Sequence, residues 1–415
     1  MGGKWNGASE LPGGIRSFDT PEARGKQGGM MFVTRVRTLN QFIGRHIGAI
    51  IATGAAVIAI SSVGMARVHA RAASPDEGKP LVLGMAFDGH QVSNLDNTIK
   101  YYEQIDFHVK SKTDWHVDKT LNKLGNTPGA ESRQAVMETL SSVSDKPFDI
   151  IFTEYRGIDR KNWSSLGLGD LLSGHLDLTV MDDCKIDIEK LRAIGMLKEV
   201  SLNMPGQGGT NGPMRFAFVQ DPDGWFVEFF AIMKPAPGAP PEGPKVSNSS
   251  ATMQNIERLG KQIGFNHIGL DVKDMAKAVG FYQGVLGGDY PPLAPPAPPA
   301  PPPGAAAGGA GGGRAAPRMN MMNGWFRQAG TDSNVRLELI GEPGTTVPDE
   351  HFADVNVNYV GFEVTDIDAA YAKVKAGGAV TVSDGGIVKV ADGRAVIVRD
   401  PDVGGFVELW QPKKK

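Results

Sequence analysis

Four short apolar runs in the C-terminal half of the chain each set a polar residue opposite an apolar row. Those polar residues are of kinds that ligate metals or move protons. In 265–272, Ile268, Leu270 and Val272 recur at every second position and share one face of a strand, which puts His267, Gly269 and Asp271 on the other. In 335–340 the apolar row is Leu337 and Leu339, with Glu338 opposite; in 406–410 it is Val407 and Leu409, with Glu408 opposite. In 359–364, Val360, Phe362 and Val364 form the row and Tyr359 opposes them. An imidazole with two carboxylates suits Zn²⁺, Fe²⁺, Mn²⁺, Ni²⁺ or Co²⁺. That donor set nearly neutralises a divalent ion, leaves positions open for water or substrate, and contains a carboxylate that can act as general base. Tyr359 could join as phenolate if an ion lowered its pKa from roughly 10. Taken singly, each residue reads as the polar lining of a cleft.

The elements that must position these residues recur along the chain. Residues 215–228, RFAFVQDPDGWFVE, correspond to 394–408, RAVIVRDPDVGGFVE: a strand, an Asp-Pro-Asp turn, and a second strand carrying Glu228 or Glu408. Residues 94–105 align without gaps to 274–285, with Leu95, Ile99 and Tyr102 matching Met275, Val279 and Tyr282 at helical spacing. Residues 175–180, HLDLTV, align to 359–364, YVGFEV. Such a duplication implies two similar halves. Within each half a strand, a helix and further strands come twice, which predicts an α+β fold with helices covering one face of a curved sheet. The Asp-Pro-Asp segments read as turns, in which Pro pre-sets φ and Asp caps neighbouring amides, and not as a metal site. Arg215 and Arg394, at matching positions, are candidates to meet a substrate carboxylate or a glutamate.

The chain has 415 residues and a formal net charge of −3. That charge gives no electrostatic reason to expect nucleic acid as a partner. The single cysteine, Cys184, excludes an intrachain disulfide and reads as a small residue at a helix start. Residues 1–29 read as disordered or as an over-extended start. Residues 30–73 read as a signal peptide or membrane anchor: Arg35, Arg37, Arg45 and His46 precede the uncharged apolar run 47–66, and small residues around Ala70 and Ala72 suit signal peptidase. The run is also long enough to span a bilayer uncleaved. The expected location is therefore exported, periplasmic or extracellular, or membrane-anchored through 47–66. Two domains are expected, 81–233 and 264–412. A Pro-rich linker at 234–263 separates them, and a low-complexity insertion at 291–318 interrupts the second.

Read in order, FNHIGLDVKDMAKAVGFYQGVLG, VRLELIG, YVGFEVTDIDAAYAKVKAGGA and IVRDPDVGGFVELWQP resemble a domain of the vicinal-oxygen-chelate superfamily. This superfamily includes glyoxalase I, bleomycin-resistance proteins, methylmalonyl-CoA epimerase and type I extradiol dioxygenases. The resemblance is clear over 265–412 and weaker over 81–233. It implies tandem domains, each of two βαβββ units whose mixed sheet forms a cup, with a divalent metal held by side chains from the first and last strands of each unit. On that pattern the second cup would hold the metal through His267, Glu338 and Glu408. Tyr359 stands where the family often has a second His or a Gln, and Arg394 and Trp410 would meet the substrate. The first cup is degenerate. Gly84 or Phe87 takes the place of His267, Ile151 takes that of Glu338, and only His175 and Glu228 remain. His90 falls in the loop beyond the first strand. Two ligands rarely hold a catalytic metal, so this cup is expected to be metal-free, with an apolar wall facing His175 and Glu228.

The pattern specifies a fold better than a reaction. The leading expectation is a metal-dependent lyase or isomerase of glyoxalase type, with Glu338 or Glu408 as ligand and general base for a small substrate bearing vicinal oxygens. The alternatives are a non-catalytic small-molecule binder lined by Trp225, Phe226, Phe230, Trp325 and Trp410, and an extradiol dioxygenase. The last requires two His and one Glu on iron, and Tyr359 in place of the second His counts against it.

Overall fold

Three of the four units of the fold start from the same local instruction: a strand, an Asn or Asp that caps a helix, and an amphipathic helix. In the computed structural model the described residues are 80–181, 183–201, 216–232, 258–260, 262–293, 320–341, 347–402 and 404–413. The segments 1–29, 30–73 and 47–66, Arg215, and nearly all of 234–263 and 291–318 lie outside them. Among the described residues no helix is long and apolar enough to cross a membrane.

The first unit is β1 (Val82–Val92), α1 (Leu95–Glu103), β2 (His108–Lys112), α2 (Lys119–Leu124), β3 (Glu131–Ser141) and β4 (Phe148–Arg156). The second is β5 (His175–Met181), α3 (Lys185–Ala193), β6 (Lys198–Ser201), β7 (Phe216–Gln220) and β8 (Phe226–Ile232). The third is β9 (Gly264–Val272), α4 (Met275–Tyr282), β10 (Asn320–Arg327) and β11 (Asn334–Gly341). The fourth is β12 (Asn358–Val364), α5 (Ile367–Ala376), β13 (Val380–Thr381), β14 (Val388–Val390), β15 (Gly393–Arg399) and β16 (Phe406–Pro412). Asn94, Asp274 and Asp366 cap α1, α4 and α5, each side chain accepting from a first-turn amide. Cys184 precedes α3, is buried, and makes no capping bond.

The strands form two mixed sheets, so the fold is α+β with two βαβββ-type units to each sheet. The units are not paired as the chain order suggests. β1 of the first unit runs antiparallel to β12 of the fourth, pairing Gly89 with Tyr359 and Phe87 with Gly361. β5 of the second unit runs antiparallel to β9 of the third, pairing His175 with Gly269 and Asp177 with His267. Each cup is therefore assembled from both segments, 81–233 and 264–412, where the sequence led us to expect each segment to close its own. Both closures bury the same faces and make equivalent ladder hydrogen bonds, so strand parity does not distinguish them. A short parallel contact, Leu140 with Gly264 and Ser141 with Phe265, links the two sheets through β3 and β9.

The repeated helix and the repeated turn meet within each segment. The Tyr102 hydroxyl of α1 donates to Asp221 Oδ2 at 3.2 Å, and the Tyr282 hydroxyl of α4 donates to Asp400 Oδ2 at 3.3 Å. Each first Asp also organises its turn. Asp221 Oδ1 accepts from the Asp223 and Trp225 amides, and Asp400 Oδ1 from the Asp402 and Gly404 amides. Helices and apolar rows share one main core, in which Tyr102, Phe152, Trp225, Phe265, Tyr282 and Phe362 are almost wholly buried.

Candidate metal centre

β5 and β9 lie side by side with one histidine each on the inner face, and the outer strands β8 and β11 add one glutamate each. Glu228 pairs in register with Asp177 on β5, and Glu338 with Gly269 on β9. Gly269 leaves the space for this meeting, because a Cβ there would fall 2.0 Å from His175 Cε1. His175 Nε2 is 3.2 Å from His267 Nε2, 3.5 Å from Glu338 Oε2 and 3.6 Å from Glu228 Oε2. His267 Nε2 is 3.3 Å from Glu338 Oε2. Donors held 2.0–2.2 Å from one ion are about 3.3–3.6 Å apart in a tetrahedron and about 2.8–3.1 Å apart at adjacent octahedral corners. His175, His267 and Glu338 thus already stand at mutual ligand spacing, and Glu228 stands at that spacing from His175. His175, His267 and Glu338 form one group with donor atoms all within 4.8 Å, and Asp177, Glu228 and His267 form a second, overlapping one.

The electrostatics suit a divalent cation. Burial, helped by repulsion from His267, lowers the His175 imidazole to about 4, so at neutral pH it is an uncharged donor. Burial would raise Glu338, but His267, His175 and Arg336 override it and hold the carboxyl at about 2. Glu228 goes the other way: burial, then Asp177 and Glu338, push it well above the usual carboxylate range. Asp177 is likewise raised by burial. Glu338 is thus held ionised beside two carboxyls, Asp177 and Glu228, whose burial favours the proton, and a divalent ion would favour their ionised forms instead.

The surrounding shell orients these donors. Asn323 Nδ2 donates to Glu338 Oε1 at 3.1 Å. His267 Nδ1 has Asn266 Oδ1 at 3.4 Å and Asp177 Oδ2 at 3.7 Å as acceptors, with Arg336 Nη2 at 3.1 Å on the same side. With Nε2 as ligand, Nδ1 would carry the proton toward Asn266 Oδ1, and Arg336 Nη2, itself a donor, would not bond to it. Phe218 packs edge-on to His175, and Arg336 lies over the Trp325 ring. Asp177 and Arg336 went unnoticed in the sequence, although each lies two residues from a ligand candidate and so shares its face.

Only part of the expected ligand set is here. His267 and Glu338 meet as expected. His175 and Glu228, assigned to a metal-free cup, complete the same site, and the apolar wall expected opposite them is absent. Glu408 and Tyr359 are in the other sheet, on β16 and β12, and are not ligands of this centre. The positions of the two cups correspond one to one. Phe87 stands for His267, Ile151 for Glu338, Tyr359 for His175 and Glu408 for Glu228. Burial, and to a smaller extent Asp392, pushes Glu408 up to about 8. Trp410 sits half-buried at the rim of that second cup, its Nε1 donating to Asp392 at 3.4 Å. Arg394 points the opposite way and forms an exposed bidentate pair with Asp368 of α5 at 2.7 and 2.8 Å, so it meets no substrate in either cup. His90 is within β1, not in a loop: it is fully buried, stacked on Trp225 at 4.5 Å. Trp225 therefore belongs to the core and lines no cup. His108 and His116 are exposed and stand apart from both cups.

Residues 264–405 match the family model of the Glyoxalase/Bleomycin resistance protein/Dioxygenase superfamily, and this segment is a domain of that superfamily. No curated protein matched the chain. Among solved structures, glyoxalase I from Zea mays is similar at 18% identity, over 79% of this chain and 92% of that one, with a TM-score of 0.44. A glyoxalase family protein from Bacillus cereus is 15% identical over 39% of this chain and 100% of its own, with a TM-score of 0.28. An antibiotic binding protein from Streptomyces sp. CB03234 is 19% identical over 36% and 94%, with a TM-score of 0.22.

Proposed function

We propose that the cup formed by β5, β8, β9 and β11 is the active site of a divalent-metal-dependent lyase or isomerase of glyoxalase type, acting on a small substrate with vicinal oxygens. The observation that carries this reading is the convergence of two imidazoles and two carboxylates, with His175 Nε2 within 3.6 Å of a donor atom on each of the other three. A bound Zn²⁺-, Ni²⁺- or Co²⁺-like ion would supply Lewis-acid polarisation of the substrate oxygens. The chain's own groups divide the remaining work. Glu338, held ionised, serves as a fixed ligand. Glu228, uncomfortable as an anion, is the better proton acceptor: it takes a proton from the carbon beside the substrate carbonyl and returns it to the neighbouring carbon. Phe218 and Trp325 supply an apolar wall beside the reacting atoms. Extradiol cleavage now has its second histidine, His175, but a fourth protein donor takes a position that the two-His, one-carboxylate arrangement leaves open.

The test is solvent exchange in deuterium oxide with the hemithioacetal of methylglyoxal as probe, on protein loaded with each ion in turn. Exchange of the carbon-bound proton with at least one ion, abolished in Glu228→Gln while that variant still retains the ion, supports the reading. Absence of exchange in protein shown to contain a bound ion would overturn it, and a binding role for the same cup would take its place.

A further inference from the structure

The second cup has lost its metal donors but has not become a plain apolar core. Phe87, Ile151, Phe406 and Trp410 give it apolar walls, and Phe87, Ile151 and Trp410 are only partly buried, which leaves the cup a way in. Between them, on the same strand faces, sit polar groups without partners. Both amide atoms of Gln91 and the Tyr155 hydroxyl are buried with no hydrogen bond. Tyr155 is 3% exposed, Tyr359 4% and Glu408 7%. Strand alternation puts Gln91 on the face of Gly89, and Tyr155 on that of Ile151. Buried polar atoms without partners are uncommon in folded proteins, and here those of Gln91 and Tyr155 lie on the same inner faces as Tyr359 and Glu408.

From this arrangement we infer that the second cup is a separate, metal-independent binding site for an uncharged hydroxylated aromatic compound, held by Gln91, Tyr155, Tyr359 and Glu408. The cup favours an uncharged ligand over an ionic one. Burial keeps the Glu408 carboxyl protonated to about pH 8, so it offers a donor and an acceptor but no charge. Two guanidiniums border it: Arg399, 4.6 Å over the Phe406 ring, donates to the Glu350 carbonyl, and Arg160, 5.9 Å from the Tyr155 ring, donates to the carbonyls of Ala353, Tyr155 and Val92. Two phenols, a carboxylic acid and an amide can satisfy ring hydroxyls in either sense, and the aromatic walls stack on the ring.

The probe is resorcinol, whose 1,3-hydroxyls do not chelate and so do not report on the metal centre; benzoate is the charged control. Calorimetric titration of the metal-loaded full chain near pH 7 should show one resorcinol bound and no benzoate. Resorcinol affinity should fall by about tenfold or more in Tyr155→Phe and in Glu408→Leu, each checked for folding by thermal unfolding. It should be unchanged in His267→Ala, whose lesion is in the other cup. Nuclear Overhauser contacts from the resorcinol ring to Phe87 and Ile151 are read on the unaltered chain, so a variant that fails to fold does not decide the outcome. Absence of binding up to about 10 mM would overturn the proposal and leave water as the occupant. So would binding insensitive to Tyr155 and Glu408, or binding lost with His267.

Discussion

His175 and His267 face each other across the antiparallel pair β5 and β9 with their Nε2 atoms 3.2 Å apart, although 92 residues separate them in the chain. Neither segment carries this site alone. His175 and Glu228 come from one side of the central linker, His267 and Glu338 from the other.

Removing either histidine should therefore be equally damaging. His175→Ala and His267→Ala are each expected to lower affinity for Zn²⁺ or Ni²⁺ by about 100-fold or more, beyond what loss of a shell residue does. Glu408→Gln should leave the affinity at this centre unchanged. Competition with a chromophoric chelator measures all three. A large loss in Glu408→Gln would show that the metal is held in the other sheet.

Cutting the chain gives a second test. With a protease site engineered into 234–257, the cleaved protein should keep its metal while the two pieces stay associated through β1 with β12 and β5 with β9. Each piece purified alone should bind none. Metal content after size exclusion, before and after denaturing separation, gives the answer; a single piece that retains the ion would contradict the cross-segment site.

Stability should fall with pH because of Glu408. Its ordinary pKa is 4.5 and burial raises it to about 8 in the folded chain. Below the lower value both states hold the proton. Between the two the folded state keeps it and the unfolded state loses it, so stability contributed by this group declines as pH rises from about 4.5 to about 8 and then levels. Glu408→Gln cannot ionise. Its urea midpoint should gain on the unaltered chain across that window, and parallel pH profiles of the two would contradict this.

The helix-to-turn bond is also measurable. Tyr102→Phe and Tyr282→Phe each strip a hydroxyl from a buried Asp while keeping the ring in place. Each should cost about 1–3 kcal/mol in urea unfolding, with the metal affinity little changed because neither residue lines the candidate centre. A loss below about 0.5 kcal/mol would mean that the carboxylate finds another donor.

We also propose export or membrane attachment through 47–66, on the basic residues before that run and its length. Fractionation should find the full chain in the membrane or beyond it, and N-terminal sequencing should separate cleavage near Ala70 from an intact anchor. Recovery wholly in the cytosol would exclude both.

Much of the molecule was legible in one dimension. Period-two rows placed His267, Glu338, Tyr359 and Glu408 on inner faces, the duplication carried His175 and Glu228 to matching positions, and the structure puts each of them there. The duplication and the family pattern marked which positions correspond, Ile151 for Glu338 and either Gly84 or Phe87 for His267, and the strand pairing selects Phe87. Side-chain alternation is a local property, set by the backbone of one strand at a time, and a sequence records it directly. Which strand lies beside which is not local. β5 could close on a strand of its own segment or on β9 with the same buried face and equivalent ladder bonds, and the choice rests on the packing of four units at once. Only the tertiary structure decided it. That decision brought His175, Glu228, His267 and Glu338 to one candidate centre and left Phe87, Ile151, Tyr359 and Glu408 together in the other cup.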